Sequence, residues 1–452
     1  LDKKDLFNMN IVKLVTGLQN AANTTLTSLQ LMTLGKVVEK LNVGAIESVA
    51  SLSSISSTVS AGTLFYVQNE QEIYYYNGIF TLPLSGIGYS LGYGWGDNSG
   101  NYGRIGDNTT VNKSSPVPFS GSVVDWTQVS AGIFHSLGVT TSGVAYGWGR
   151  GNNGCIGDNT NINRSSPVTV VGGLNWTQVS AGQEHSLGLT SAGVAYAWGD
   201  NGSGRLGDGT TTARSSPVSV VGGLSPWSQV SAGGTFSHGV TSTGVAYGWG
   251  SNTSGRLGIG NAASTFSSPV SVVGSLTWSQ VSDGQNYCLG RTTGGVAYGW
   301  GTNNFNQLGD GTASDRSSPT AVAGGFTNWS QVSAGKDSAT TLHSLGLRSS
   351  GIAYGWGWNT NGQLGDGTAE ARASPVTIVG GITNWTQVSA GSSHSLGRTT
   401  AGIVYAWGSN SNGGLGNNTT TNRSSPVRVI GGITNWSQID AALTSLAIRT
   451  FT

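Results

Sequence analysis

The residues of this chain that could do chemistry are few and regularly spaced. His135, His185, His238, His343 and His394 read at one phase of a repeated segment. A ring of imidazoles could hold a metal. Equivalent positions in successive repeats are too far apart to share one ion, and two repeats lack the histidine, so no metal or other cofactor is expected. Cys155 and Cys288 lie in different repeats at different phases, which argues against a disulfide. Cys288 stands where sister repeats carry His or Ser, and a small buried residue is expected there. The run Asp97-Asn98-Ser99-Gly100-Asn101 looks like a calcium loop but lacks the closing Glu, so it reads as a turn. No nucleophile elbow, phosphate loop or His-Glu zinc motif occurs, and nothing points to a glycosidase pair of carboxylates. The chain is therefore read as non-enzymatic.

Most carboxylates belong to a recurring pair. Asp158 and Arg164 are six apart, as are Asp208 and Arg214, Asp310 and Arg316, and Asp366 and Arg372, with Asp107 and Lys113 as a variant. One repeat replaces both together, by Ile259 and Phe266. Joint loss implies contact, so each pair is expected to clasp a loop.

The elements that carry these residues repeat about every fifty positions. Trp-Gly recurs at Trp95, Trp148, Trp198, Trp249, Trp300, Trp356 and Trp407. Trp-Ser/Thr-Gln recurs at Trp126, Trp176, Trp227, Trp278, Trp329, Trp385 and Trp436. Each repeat holds four short alternating segments between Gly-rich turns, and 73 glycines disfavour helix. Seven such units predict an all-β seven-bladed propeller over residues 85–452. The first repeat starts at its third strand and the last stops after its second. The C-terminal strands, within 436–450, are therefore expected to pair with strands in 88–120 and close the ring without free sheet edges. Charged residues make up 9% of the chain and the net charge is +1. This excludes a basic field for nucleic acid, and no apolar run has the length of a membrane span.

The motifs Ala-Gly, His-Ser-Leu, Tyr-Gly-Trp-Gly, Leu-Gly-Asp-Gly and Ser-Pro-Val resemble those of the regulator-of-chromosome-condensation repeat, over about four-fifths of the chain. The resemblance implies a seven-bladed propeller, with the histidines as part of a structural strand. It does not imply one function. A basic surface for chromatin and a long insertion for nucleotide exchange are both lacking.

Residues 1–60 differ. Phe7, Ile11, Leu14 and Leu18 alternate at spacings of four and three, which predicts an α-helical, coiled-coil-like stem that oligomerises. Residues 61–84 read as a small β-hairpin module, and this segment resembles modules of bacteriophage tail fibres. Together these features point to a non-enzymatic virion protein, a tail fibre or appendage displayed at the virion surface. Its stem would join other virion proteins and its propeller would bind a host-surface glycan or protein. The alternatives are a secreted bacterial protein-binding or inhibitor propeller, and a polysaccharide-degrading enzyme.

Recognition is expected where the repeat is broken. The candidates are the insertion after Gly335, with Lys336 and Asp337, the slots just before the histidine at Phe134, Glu184, Phe236 and Tyr287, and the aromatics Tyr102, Phe305 and Trp358 in loops after Trp-Gly.

Overall fold

The computed structural model describes residues 89–451, without 122, 263, 338–341, 431 and 432, and four short strands before them. Seven four-stranded antiparallel sheets make up the propeller. Blade one runs Trp126–Ala131, His135–Thr140, Ala145–Gly149 and Arg164–Thr169, and blades two to six repeat this order. Blade seven is built from Trp436–Ala441 and Thr444–Phe451, joined by Tyr89–Gly96 and Lys113–Pro118 from the other end of the array.

The strand sequences explain how the blades stack. In the third strand Trp148 is fully buried between sheets, as are its six counterparts. The innermost-strand Trp126 packs against it edge-on, with ring centroids 5.9 Å apart. Trp126 also lies over Gly138 of the second strand, where an added Cβ would sit 2.4 Å from the indole. The same slot is Gly in blades two to six and Ala447 in blade seven, so the small residue makes room for the ring.

Two polar devices tie each blade to the next. At the axis, the Gln128 side chain donates to Val179 O at 3.0 Å and accepts from Val179 N at 2.8 Å, so its amide behaves like one more residue of a β-ladder. Gln178, Gln229, Gln280, Gln331 and Gln387 do the same. Gln438 closes the circle on Val129. Further out, Trp148 Nε1 and Ser136 Oγ both donate to Arg104 O of the preceding blade.

Histidine supplies a third link. His135 bonds Ser186, His185 bonds Ser237, His343 bonds Ser395, and His394 bonds Ser445. His238 does not share this phase. Counted from Ala-Gly, Phe236 fills the histidine slot, and His238 stands two residues later where sister blades have Leu. Tyr287 fills the same slot in blade four, and Cys288 occupies the serine slot beside it.

The charge pairs form in five blades, at 3.1 Å for Lys113–Asp107 and 2.7 Å for Arg164–Asp158 and Arg316–Asp310. Burial alone would raise the Asp158 carboxyl, but hydrogen bonds from Thr160 and Arg164 hold it below its ordinary value. The arginines are about one-third exposed, so each pair contributes at most about 1 kcal/mol.

The α-helical stem is corrected. Among the described residues there is no α-helix, only single-turn 3-10 helices at Asn152–Gly154 and Thr253–Gly255. The described part of 1–60, Glu47–Val49, is a strand paired in parallel with Thr63–Val67. Glu47–Val49 lies beyond the spacing of Phe7–Leu18 that suggested a helix, and ladder pairing with the neighbouring hairpin holds it extended. Phe7, Ile11, Leu14 and Leu18 lie outside the described residues. Thr63–Val67 and Glu72–Tyr76 form a hairpin, and Thr81–Pro83 adds a fourth strand to this small sheet.

Two outcomes are expected. Gln438→Ala strips Val129 of both amide partners and lowers stability by about 1–3 kcal/mol in urea unfolding. The second concerns pH. Burial pushes His135 and His343 down to about 3 and His394 to about 4, with His185 also well below its ordinary value. Folded values lie below the unfolded 6.5, so unfolding takes up protons as pH falls. Stability is full above pH 6.5 and drops by about 2 kcal/mol per histidine at pH 5. Denaturant midpoints that stay flat between pH 7 and 5 would contradict this.

Candidate functional site

Strand direction alternates within a blade. The loop joining the first two strands therefore opens on the same face as the loop joining the last two. All nine candidate recognition residues lie in or beside such loops, on one face of the ring.

Three of them meet at the junction of blades seven, one and two. Tyr102 and Phe134 pack edge-to-face with centroids 6.0 Å apart. The Arg150 guanidinium covers both, 5.5 Å from the Tyr102 ring and 4.9 Å from Phe134, and forms a 2.6 Å ion pair with Glu184. Arg104 lies over Tyr102 from another side at 5.5 Å, anchored on Ser99 O at 2.8 Å. Desolvation lowers the Arg104 pKa, countered first by Asp97. Tyr102, Phe134, Arg150 and Glu184 remain partly exposed. The result is a stiff, amphipathic patch in which cations are held against ring faces. Sequence reasoning missed Arg104 and Arg150. The signal for Arg150 was a break in the pattern, since the position after Trp-Gly is Asp, Ser, Thr or Trp in other blades, whereas Arg104 gave none, because Arg205 and Arg256 fill the same slot.

Phe305 and Trp358 form a second aromatic pair, at 4.9 Å and 77°. The Trp358 Nε1 has no hydrogen-bond partner among the described residues. Phe236 and Tyr287 are fully buried instead. The Tyr287 hydroxyl lies 2.7 Å from His343 O and 2.9 Å from both Ser344 Oγ and Gly335 N, and so replaces the missing His–Ser link. Asp337 is also buried.

Lys336 enters the central channel, a polar cavity of about 210 Å³ walled by the innermost strands. Its ammonium donates to Ala181 O at 2.7 Å, three blades away. Gln285 of blade four donates to Gln183 Oε1 of blade two at 2.7 Å, a second link between blades that are not adjacent. Desolvation lowers the Lys336 pKa, opposed by Asp440 and then Asp283. Asp440 is a departure from the serine of sister blades. It accepts from Ala131 N at 2.8 Å and from Ser389 Oγ at 2.9 Å. Burial raises its pKa, and Lys336 is the largest opposing influence.

The pattern described as "Regulator of chromosome condensation (RCC1) repeat" matches residues 93–139, 142–189, 192–240, 243–290, 294–342, 350–397 and 401–442. The chain belongs to the RCC1-repeat family. It is 31% identical over 342 residues to the ultraviolet-B receptor UVR8 of Arabidopsis thaliana, covering 74% of this chain and 64% of that protein. It is 29% identical over 226 residues to the probable E3 ubiquitin-protein ligase HERC3 of Homo sapiens, covering 49% of this chain and 21% of that one. The chain thus spans under two-thirds of the length of these relatives. Among solved structures, human WBSCR16 superposes with a TM-score of 0.70 at 20% identity, over 80% of this chain and 98% of that chain. Prp20p of Saccharomyces cerevisiae, described with binding properties to Gsp1p and histones, superposes with a TM-score of 0.68 at 19% identity, over 80% and 92%. These likenesses show the fold.

The bacteriophage assignment is corrected by these relatives, which are plant and mammalian propellers. The family match begins at residue 93 and lends no support to a tail-fibre resemblance over 61–84. The virion location, the virion partners of the stem and the host-receptor role fall with it. Low charge and a short hairpin were compositional signs, and a propeller surface rich in Asn, Ser and Thr produces the same composition without a virion.

Lys336 and Asp440 are expected to be energetically coupled. Lys336→Met leaves Asp440 buried without its cation and costs about 1–3 kcal/mol at pH 7, whereas the same change in an Asp440→Ser background costs less. A double-mutant cycle in urea checks this, and additive effects would contradict it.

Proposed function

We propose that this RCC1-repeat protein is a non-catalytic, protein-binding propeller that receives its partner on the face carrying Tyr102, Phe134, Arg150 and Glu184. The observation that carries this reading is convergence. The positions that break an otherwise uniform repeat are aromatic or charged, and three blades bring them together. Aromatic and Arg side chains at a rigid, half-exposed patch are what interfaces use as anchors. Relatives named as a receptor and as ubiquitin-protein ligases fit a propeller that works through other proteins. Their whole activities do not carry over, because the chain spans 64% and 21% of their lengths. The absence of catalysis is part of the proposal. Burial pushes the Cys155 thiol up to about 12, which leaves it unionised and a poor nucleophile.

Affinity capture from the source organism, followed by titration of the captured protein, tests the site. Phe134→Ala with Arg150→Ala is expected to weaken binding at least about tenfold, the loss of one or two hot-spot contacts. Val245→Ser on the opposite face leaves binding unchanged. Equal affinity for all three forms would refute this assignment.

A further inference from the structure

Blades three and four depart from the repeat at three positions that touch. His238 replaces the Leu of sister blades, Asp283 the Ala that ends the innermost strand, and Cys288 the Ser of the second strand. One ligand atom from each lies within 4.8 Å of the other two, and all three residues are buried. The surrounding network is changed to match. No His–Ser link joins these two blades, because Phe236 and Cys288 fill its slots. Trp300, alone among the seven third-strand tryptophans, has no hydrogen-bond partner for Nε1 among the described residues.

The cluster has the chemistry of a metal centre. His238 Nδ1 lies 2.7 Å from Asp283 Oδ1. The second oxygen, Asp283 Oδ2, is buried with no hydrogen-bond partner among the described residues, although a carboxylate in an interior requires one. On its far side His238 Nε2 lies 3.4 Å from Leu257 O. Without a metal the carboxylate contact holds a proton on Nδ1; with a cation between the two groups the proton moves to Nε2, where the Leu257 carbonyl stands ready to accept it, the outer-shell arrangement usual for metal-bound histidine. Phe236 and Trp300 hold the imidazole edge-on at 5.5 and 5.6 Å. Asp283 also lines the central channel, which supplies a path for an ion.

We propose that His238 Nδ1, Asp283 and Cys288 Sγ form a site for a borderline-soft divalent cation of the Zn²⁺ type. Ligand atoms around tetrahedral zinc stand about 3.3–3.6 Å apart at the usual bond lengths. The cluster reaches this by spreading the His–Asp contact from 2.7 Å, with the sulfur within 4.8 Å of both atoms. Charge also balances. A dication with one thiolate, one carboxylate and a neutral imidazole sums to zero in the interior. The thiol proton leaves to solvent as the sulfur–metal bond forms, and a water from the channel completes the fourth position. Without a metal the same residues amount to a buried His–Asp pair next to a thiol, which is costlier to bury.

The repeat itself supplies a control that folds. Returning all three positions to the sister-blade residues, His238→Leu with Asp283→Ala and Cys288→Ser, removes every ligand and installs residues that the other blades already carry at these slots. The full chain is refolded after chelation and titrated with Co²⁺ and Zn²⁺. The wild-type protein is expected to bind stoichiometrically and to show a thiolate-to-Co²⁺ charge-transfer band. The band is lost in Cys288→Ser and kept in Cys155→Ser. Zn²⁺ raises the melting temperature of the wild type and leaves that of the triple variant unchanged. A wild-type protein that retains no more metal than the triple variant, or a band that survives Cys288→Ser, would overturn the proposal.

Discussion

Everything in this propeller depends on a circle of seven glutamine side chains at its axis, each making the hydrogen bonds of one extra ladder residue with the next blade. An open sheet stack could slide or splay at its interfaces. The paired donation and acceptance by each amide sets the height of one innermost strand against the next. The circle is complete only because Gln438, from the last repeat, reaches Val129 in the first full one. Burial of fourteen tryptophans provides the bulk of the driving force. The amides provide register, which non-directional burial does not specify.

Once register is set, side chains at equivalent positions meet neighbours in a fixed relation. His135 therefore faces a serine of the next blade, and Trp148, like five of its six counterparts, donates to a loop carbonyl of the preceding one. A substitution at one slot changes an interface rather than a blade, and its compensation appears some fifty residues away. Tyr287 reaching His343 and Ser344 is one example, and His238 facing Asp283 is another. The channel follows the same logic. The Lys336 insertion belongs to blade five, but its ammonium ends on blade two and its charge is met from blade seven.

The sequence carried some of this plainly. Tryptophan and Ser-Pro spacing defined the blade count, and the surplus of two strands at one end against a deficit at the other is written in the order of motifs. The Asp–Arg pairs were visible because they are lost together. The axial glutamines stood in every Trp-x-Gln motif, but their role was not legible, because their partners lie one repeat away on a strand whose height the sequence does not state. The phase of His238 was misjudged for a simpler reason. Its neighbours Phe236-Ser237-His238 imitate the order of a His-Ser-Leu strand, and only counting from Ala232-Gly233 places Phe236 in the histidine slot.

The candidate site divides the same way. Tyr102, Phe134 and Glu184 were found as breaks in the repeat, whereas their partners Arg104 and Arg150 were not. Phe236 and Tyr287 broke the repeat too, yet they turn inward to fill a slot. Local residue types and periodicity, which are short-range properties of the chain, determined the strands, the number of blades and the family. Which departures share one patch, which are buried, and that His238, Asp283 and Cys288 meet were decided by the closed ring. Closure brings together side chains separated by one, three or six repeats, and no local pattern encodes that proximity.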